Sequence, residues 1–454
     1  MTRSARGVLI LICVAIIAAP LWGAPPGLRA GVARRDITPD VPIWLSGYAA
    51  RKAPANGVLQ RIWAKALAIT DGRGGRVVIV TTDLVGLPRA ITDAVAARLQ
   101  KQFALPRSEV LFNSSHTHTG PVVRPNLTTM FDLNADDTAR LDAYARKLGD
   151  NLFDVAAEAL TAMRPAVVEY GTGEVGFAIN RRQPSPNGFR IAENPTGPVD
   201  HSVPVIKVSS PDGKLRAVLF AYACHNTTLT GEFNEISGDY AGFAQDDFEK
   251  QHQGATALFM MLCGGDQNPR PRSTLPLALQ HGAALAAEAS RVIGRQLTPL
   301  TGPVRASFEV TELAFAPHTR EQFEDQTKSA NPAEVRRAQA MLKAYNERLP
   351  VRRTPYPVQA IRFGRELTIL ALGGEVVVDY DLRAKKEFPN ANLVVAGYSN
   401  DVMCYIPSRR VLNEGGYEAV DSMIYYGQPG PFDQDVEERI FAAIHRVLKR
   451  VGVK

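Results

Sequence analysis

His116 and His118 lie in the run Phe112-Asn113-Ser114-Ser115-His116-Thr117-His118-Thr119-Gly120-Pro121, and they are two of only eight histidines in the chain. They stand one residue apart at the end of the apolar, strand-like segment Glu109-Val110-Leu111-Phe112. In an extended backbone alternate side chains share a face, so the spacing predicts two imidazoles on one side of a strand end. Neutral imidazole is the commonest metal ligand among side chains. The Gly-Pro that follows ends the strand and places the pair at the mouth of a sheet, where ligands bind. Two polar loop residues would show the same spacing, so the rest of the chain must decide between a metal site and a loop.

Other strand ends carry polar groups. Ala221-Tyr222-Ala223 runs into Cys224-His225-Asn226-Thr227-Thr228, and Leu372 is followed by Gly373-Gly374-Glu375-Val376. Glycines let the backbone turn closely, and a carboxylate there can ligate a metal or act as a base. A helix is expected to begin at the same place, and the residues alone favour Glu375 as its dipole-stabilised N-terminal carboxylate. Two further loops are dense in turn and polar residues: Cys263-Gly264-Gly265-Asp266-Gln267-Asn268-Pro269, and Gly397-Tyr398-Ser399-Asn400-Asp401 through Tyr405-Ile406-Pro407 to Gly415-Gly416-Tyr417-Glu418.

Beta-rich runs (63–69, 76–82, 109–114) alternate with helical patterns such as 90–103, and Val77-Val78-Ile79-Val80 reads as a strand buried on both faces with Asp83 at its end. This is the grammar of an α/β fold. A long helix is expected over 139–163 before Pro165. Strands follow at 166–170, 203–208, 215–223 and 257–262, covered by an alanine-rich helix over 277–296. A helix near 336–345, a Pro-rich loop over 349–357, strands at 358–363 and 367–372, a helix near 377–388, a strand at 392–398 and a terminal helix over 436–449 complete the reading. The fold class is α/β, with mixed sheets and covering helices in one large domain over residues 30–454.

Arg3 and Arg6 precede the apolar run Val8 to Ala19, and small residues surround Gly23. Residues 1–23 are therefore expected to be an export signal, too short for a membrane span, and the mature chain is expected to be secreted or periplasmic. The net charge of +6 is modest and scattered among acidic residues, which excludes a nucleic-acid groove. Cys224, Cys263 and Cys404 remain after the signal. An odd count is no disulfide framework. Each lies near a motif, as a thiolate metal site requires, but small buried apolar residues are the commoner outcome.

Taken together, the pieces resemble the catalytic domain of the neutral (alkaline, non-lysosomal) ceramidase family, zinc enzymes that cleave the amide of N-acyl sphingoid bases. The resemblance rests on the opening Gly31-Val32-Ala33-Arg34-Arg35-Asp36-Ile37-Thr38-Pro39, the His116-Thr117-His118-Thr119-Gly120-Pro121 run, and the strand-end His225 with its Thr pair. It rests also on Gly374-Glu375 and on Tyr405 and Tyr417, twelve residues apart. It implies one zinc per chain held by His116, His225, Glu375 and Tyr405. His118 then serves as an acid/base or hydrogen-bonding group, and Arg181, in Asn180-Arg181-Arg182, contacts the substrate carbonyl or oxyanion with Tyr417. A tyrosine ligand is unusual for zinc.

The implied reaction is attack of a zinc-bound water on the amide carbonyl, with His118 giving the leaving amine its proton. The implied partner is an N-acyl lipid or other small amide, reached by peripheral contact with a membrane; nothing in the sequence sets the oligomeric state. Where the family carries Gly-Asp-x-Ser-Pro this chain has Gly265-Asp266-Gln267-Asn268-Pro269, so a serine acyl-enzyme is excluded there. No Gly-x-Ser-x-Gly elbow replaces it. The family's C-terminal immunoglobulin-like domain is not expected in this sequence, which leaves the substrate open. Another amide or ester, or a non-catalytic lipid-binding role, stands beside ceramide.

Overall fold

The computed structural model describes residues 27–454; the expected export signal lies outside them. Three principal sheets share one plan. The first runs in the order Val110–Ser114, Arg76–Thr82, Trp63–Thr70, Arg29–Asp36 and Arg164–Pro165. The second runs Thr256–Met261, Leu215–Tyr222, Ser202–Ser209, Val167–Glu174 and Thr298–Pro299, and the third Val304–Ala314, Arg353–Phe363, Leu367–Leu372 and Leu393–Ala396. Each contains a single parallel pair joined by a crossover helix: Arg76–Thr82 with Val110–Ser114 through Arg89–Phe103, Leu215–Tyr222 with Thr256–Met261 through Asp239–Gln251, and Leu367–Leu372 with Leu393–Ala396 through Asp379–Glu387. The remaining pairings in these three sheets are antiparallel.

Alternation along the central strands explains their unbroken apolar runs. Val77 and Ile79, Leu219 and Ala221, and Ile369 and Ala371 all point into one core shared by the three sheets. Their neighbours point outward. Val78 and Val80 pack under helices Arg89–Phe103 and Ala135–Thr161, Val218 and Phe220 under Asp239–Gln251 and Leu275–Ile293, and Leu370 and Leu372 under Asp379–Glu387 and Val436–Arg450. Each such side chain, removed from water, contributes roughly 1.5–3 kcal/mol. The α/β class expected from the sequence is thus observed, as mixed sheets with covering helices. No helix among the described residues is long and apolar enough to cross a membrane.

The three parallel pairs end near one another, and Asn113 stitches their ends. Its Nδ2 donates to the Met261 carbonyl at 3.0 Å and the Gly397 carbonyl at 2.8 Å, while its Oδ1 accepts from Met261 N–H at 2.8 Å. One asparagine on the first sheet therefore ties down the last residue of a strand in the second and the exit from a strand in the third.

Three expectations need correction. The strand ends at Ser114, and His116 takes a left-handed backbone at φ 61°, so the two histidines meet through a turn and not along an extended face. The helix expected at Glu375 begins at Asp379; Glu375 and Val376 form a short parallel pairing with Tyr405 and Ile406. The Pro-rich stretch is partly strand: Pro355 and Pro357 pair with Glu312 and Val310. They are tolerated because the partner strand on the other side is engaged only from Val358 onward, leaving their missing N–H groups at an edge.

Candidate metal centre

The turns that leave the parallel pairs bring His116, His225 and Glu375 to one buried point. Nε2 of His116 lies 3.0 Å and Nε2 of His225 3.1 Å from Oε2 of Glu375, and the Tyr405 hydroxyl lies 3.0 Å from His225 Nε2. All four side chains are almost wholly buried. The left-handed His116 is held by its N–H to the Leu84 carbonyl at 2.8 Å. Such a backbone costs of order 1–3 kcal/mol and persists where the surroundings over-determine it. Gly374, at φ 75°, turns the chain so closely against Ile406 that a side chain there would collide with it.

Tautomers follow from the backbone. Nδ1 of His116 lies 2.6 Å from the Val85 carbonyl and Nδ1 of His225 2.7 Å from the Gly264 carbonyl. A carbonyl only accepts, so each Nδ1 carries the ring proton and each Nε2 turns a lone pair inward. Burial, reinforced by Arg181, holds the His225 imidazole down at about 3 and thus neutral near pH 7. Burial would raise Glu375, but its close contacts with His116 and His225 outweigh it and hold its carboxyl well below the usual range. Glu375 Oε2 is buried with no hydrogen-bond partner. Two lone pairs and an orphaned carboxylate oxygen facing each other call for a cation. Their separations match the edge of a tetrahedron with bonds of about 2.0–2.1 Å, which is about 3.3 Å.

His118 stands apart chemically. Its Nε2 is 3.1 Å from His116 Nε2, yet its Nδ1 is buried without a partner. Nitrogens of His116, His118 and His225 all lie within 4.8 Å of one another, so a three-histidine site is also present. Ligating histidines almost always donate their other ring nitrogen; His116 and His225 meet that condition and His118 does not. Burial, first of all, pushes His118 well below its ordinary value. Gly47, at φ 86°, backs onto it: a Cβ there would lie 2.2 Å from Nδ1.

Arg181 is more tightly engaged than the sequence implied. Nε donates to Glu418 at 2.7 Å, Nη2 to the Tyr405 hydroxyl at 2.9 Å and Nη1 to Asn268 Oδ1 at 3.2 Å. Its guanidinium carbon lies 5.8 Å from the centroid of the Tyr417 ring. Desolvation opposes its charge, but Tyr405 and Glu418 more than restore it, so it stays cationic. Burial pushes the Tyr405 hydroxyl well up, with Arg181 opposing.

All seven residues singled out from the sequence thus meet in one place. Others were not singled out: Tyr398, Glu418 and Asp266 lie in the polar loops the sequence marked but carried no individual signal, and Tyr426 lies outside any of them. Tyr426 donates to Glu375 Oε1. Tyr398 packs its ring 4.5 Å from that of His116. Glu418 joins Arg181 to Arg182. Asp266, in the loop after Cys263, accepts from Val378 N–H and Asn180 Nδ2, while its carbonyl accepts from Arg181 N–H. The three cysteines are unpaired and buried, and burial raises their thiols well above the ordinary value, so they fill space and form no thiolate site. A cleft of about 330 Å³ reaches the centre, lined by Tyr48, His118, Arg181, Asn268, Tyr405 and Tyr417 among others.

Comparison with known proteins agrees with this architecture. The family model for the N-terminal region of neutral/alkaline non-lysosomal ceramidase matches residues 28–268. A neutral ceramidase of Pseudomonas aeruginosa is 25% identical over 289 residues, covering 59% of this chain and 41% of that protein. One from Mycobacterium tuberculosis is 24% identical over 482 residues, covering 86% and 73%. Matches to neutral ceramidases A and B of Dictyostelium discoideum span 33% and 36% of their lengths, so the chain spans well under two thirds of several of these relatives. The crystal structure of the Pseudomonas aeruginosa neutral ceramidase superposes with a TM-score of 0.72 at 21% identity, covering 93% of this chain and 74% of that one.

Proposed function

The chain belongs to the neutral/alkaline non-lysosomal ceramidase family, and from that premise we propose that it is a zinc-dependent amidohydrolase that cleaves the amide of ceramide or a related N-acyl lipid. One observation carries the metal: the Nε2 lone pairs of His116 and His225 converge on an orphaned Glu375 oxygen. The residues that would hold the ion are His116, His225, Glu375 and Tyr405, with His118 kept for the substrate because its second nitrogen is unanchored. A zinc ion bound there supplies Lewis acidity and brings the pKa of a water down to roughly 7.

The protein's own groups do the rest. Arg181 holds the Tyr405 hydroxyl in place and keeps a positive charge beside the reacting carbonyl. Tyr417, on the wall of the cleft, donates to the oxygen on which charge develops; losing one such donor typically costs about two to three orders of magnitude in rate. His118, neutral in its buried setting, shuttles a proton to the amine nitrogen, since an amide anion is a poor leaving group. The Arg3, Arg6 and Val8 to Ala19 pattern supports export of the mature enzyme.

The test is metal analysis of the purified protein together with turnover of a fluorescent N-acyl-sphingosine. About one zinc per chain and chelator-sensitive release of fatty acid are expected. Full activity in metal-free protein or in His116→Ala overturns the mechanism. Bound zinc with no turnover across matched ceramides, N-acyl amino acids and esters points to the lipid-binding role instead.

A further inference from the structure

Asn268 occupies the loop position where the family sequence has serine, and the structure gives it two distinct faces. It lies in the short strand Gln267–Pro269, opposite Ile179, and is 8% exposed, on the wall of the cleft. Its Oδ1 accepts from Arg181 Nη1 at 3.2 Å. Arginine only donates, so the oxygen must face the guanidinium and the Nδ2 amide is the end left over. Among the described residues no hydrogen bond takes up that Nδ2. A serine hydroxyl is shorter and could not offer an acceptor to Arg181 and a separate pair of donors to the cleft.

The position along the cleft says what such a donor meets. The reacting carbonyl must sit against His116, His225 and Glu375. Tyr405 touches His225, Arg181 touches Tyr405, and Asn268 touches Arg181 on its far nitrogen. Asn268 is therefore one guanidinium beyond the reacting centre and reads the functional group next to the scissile amide. In an N-acyl sphingoid the acyl side is hydrocarbon, and the neighbouring acceptors are the hydroxyls of the amine side. We infer that Asn268 is a specificity-determining residue whose side-chain N–H donates to a hydroxyl on the amine portion of the substrate. The inference rests on the N-acyl lipid reading above and adds to it a preference for hydroxylated amines.

The experiment compares an N-acyl-sphingosine with an N-acyl alkylamine of matched chain lengths lacking hydroxyls, in wild type, N268D and N268A. N268D keeps an acceptor for Arg181 and loses both donors; N268A loses everything. The ratio of kcat/KM between the two compounds is expected to fall roughly tenfold in both variants, mainly through KM. An unchanged ratio in both, or a fall in N268A alone, would show that Asn268 acts only by holding Arg181 and overturns the assignment. If wild type hydrolyses neither compound the proposed function fails, and calorimetric Kd values for the same two compounds still decide the role of Asn268 by the same ratio.

Discussion

The hydroxyl of Tyr426 donates to Oε1 of Glu375, which leaves Oε2 of the same carboxylate to face His116 and His225. Tyr426 thereby chooses which oxygen enters the centre and fixes the plane of the carboxylate. Outer partners of this kind typically matter by about 10–100-fold in metal affinity. Tyr426→Phe is accordingly expected to weaken zinc binding within that range in a chelator competition, with the fold retained by circular dichroism. Undiminished affinity would mean that the carboxylate is oriented by its other contacts alone.

Asn113 is expected to be a determinant of both stability and metal binding, because it ties three sheet ends together. Replacing it by Ala removes the side-chain partner of Met261 N–H and of the Met261 carbonyl and leaves the Gly397 carbonyl only its bond from Ser399 Oγ. Each buried unsatisfied group costs about 1–3 kcal/mol, so a loss of about 2 kcal/mol or more is expected in urea denaturation, with weaker zinc binding. A variant as stable as wild type would show that the turns hold themselves.

Gly47 is expected to be indispensable for His118 and dispensable for the metal. A Cβ at its φ of 86° would be strained and would strike the His118 ring. In Gly47→Ala, zinc content should persist while kcat falls by about two to four orders of magnitude, the range for losing a placed acid/base group. Loss of zinc in step with activity would instead make His118 a ligand.

Asp381 should make a contribution to stability that declines as pH rises from about 4 to about 7, against the opposite contribution of the buried neutral histidines. Burial, with Lys385 opposing, pushes its carboxyl from an ordinary 3.8 up to about 7. The folded chain therefore keeps a proton that the unfolded chain has released, and over that window this contribution falls with pH. Asp266 and Asp401, at about 7, and Asp239, at about 6, act in the same direction. Asp381→Asn should gain stability relative to wild type as pH rises across the window, read from denaturation midpoints; a difference that does not change with pH would place the titration elsewhere.

The elements were legible wherever periodicity was strong. The double-sided apolar run Val77 to Val80 is a strand whose two faces enter two different cores, and the terminal helix begins at Val436 as its pattern requires. The strand pair Ala178–Ser185 and Gly188–Asn194, which carries Arg181, was not legible, because its residues are polar and partly exposed and so show no hydrophobic alternation. Helix Asp239–Gln251 was missed for the same reason: its buried face includes Asp239, Gly242 and Gln245.

The sequence by itself determined the chemical inventory: which strand ends carry imidazole or carboxylate, and the order in which they come. That information is local, since it depends on residue type and a few neighbours. Only the tertiary structure decided that three separate sheets bring His116, His225 and Glu375 within hydrogen-bonding distance, which nitrogen of each imidazole faces inward, and that His118 lacks the anchor the other two possess. Those facts depend on backbone carbonyls at Val85 and Gly264 and on Tyr426, distant in sequence from the groups they orient. No period or motif records such contacts, because folding alone creates them.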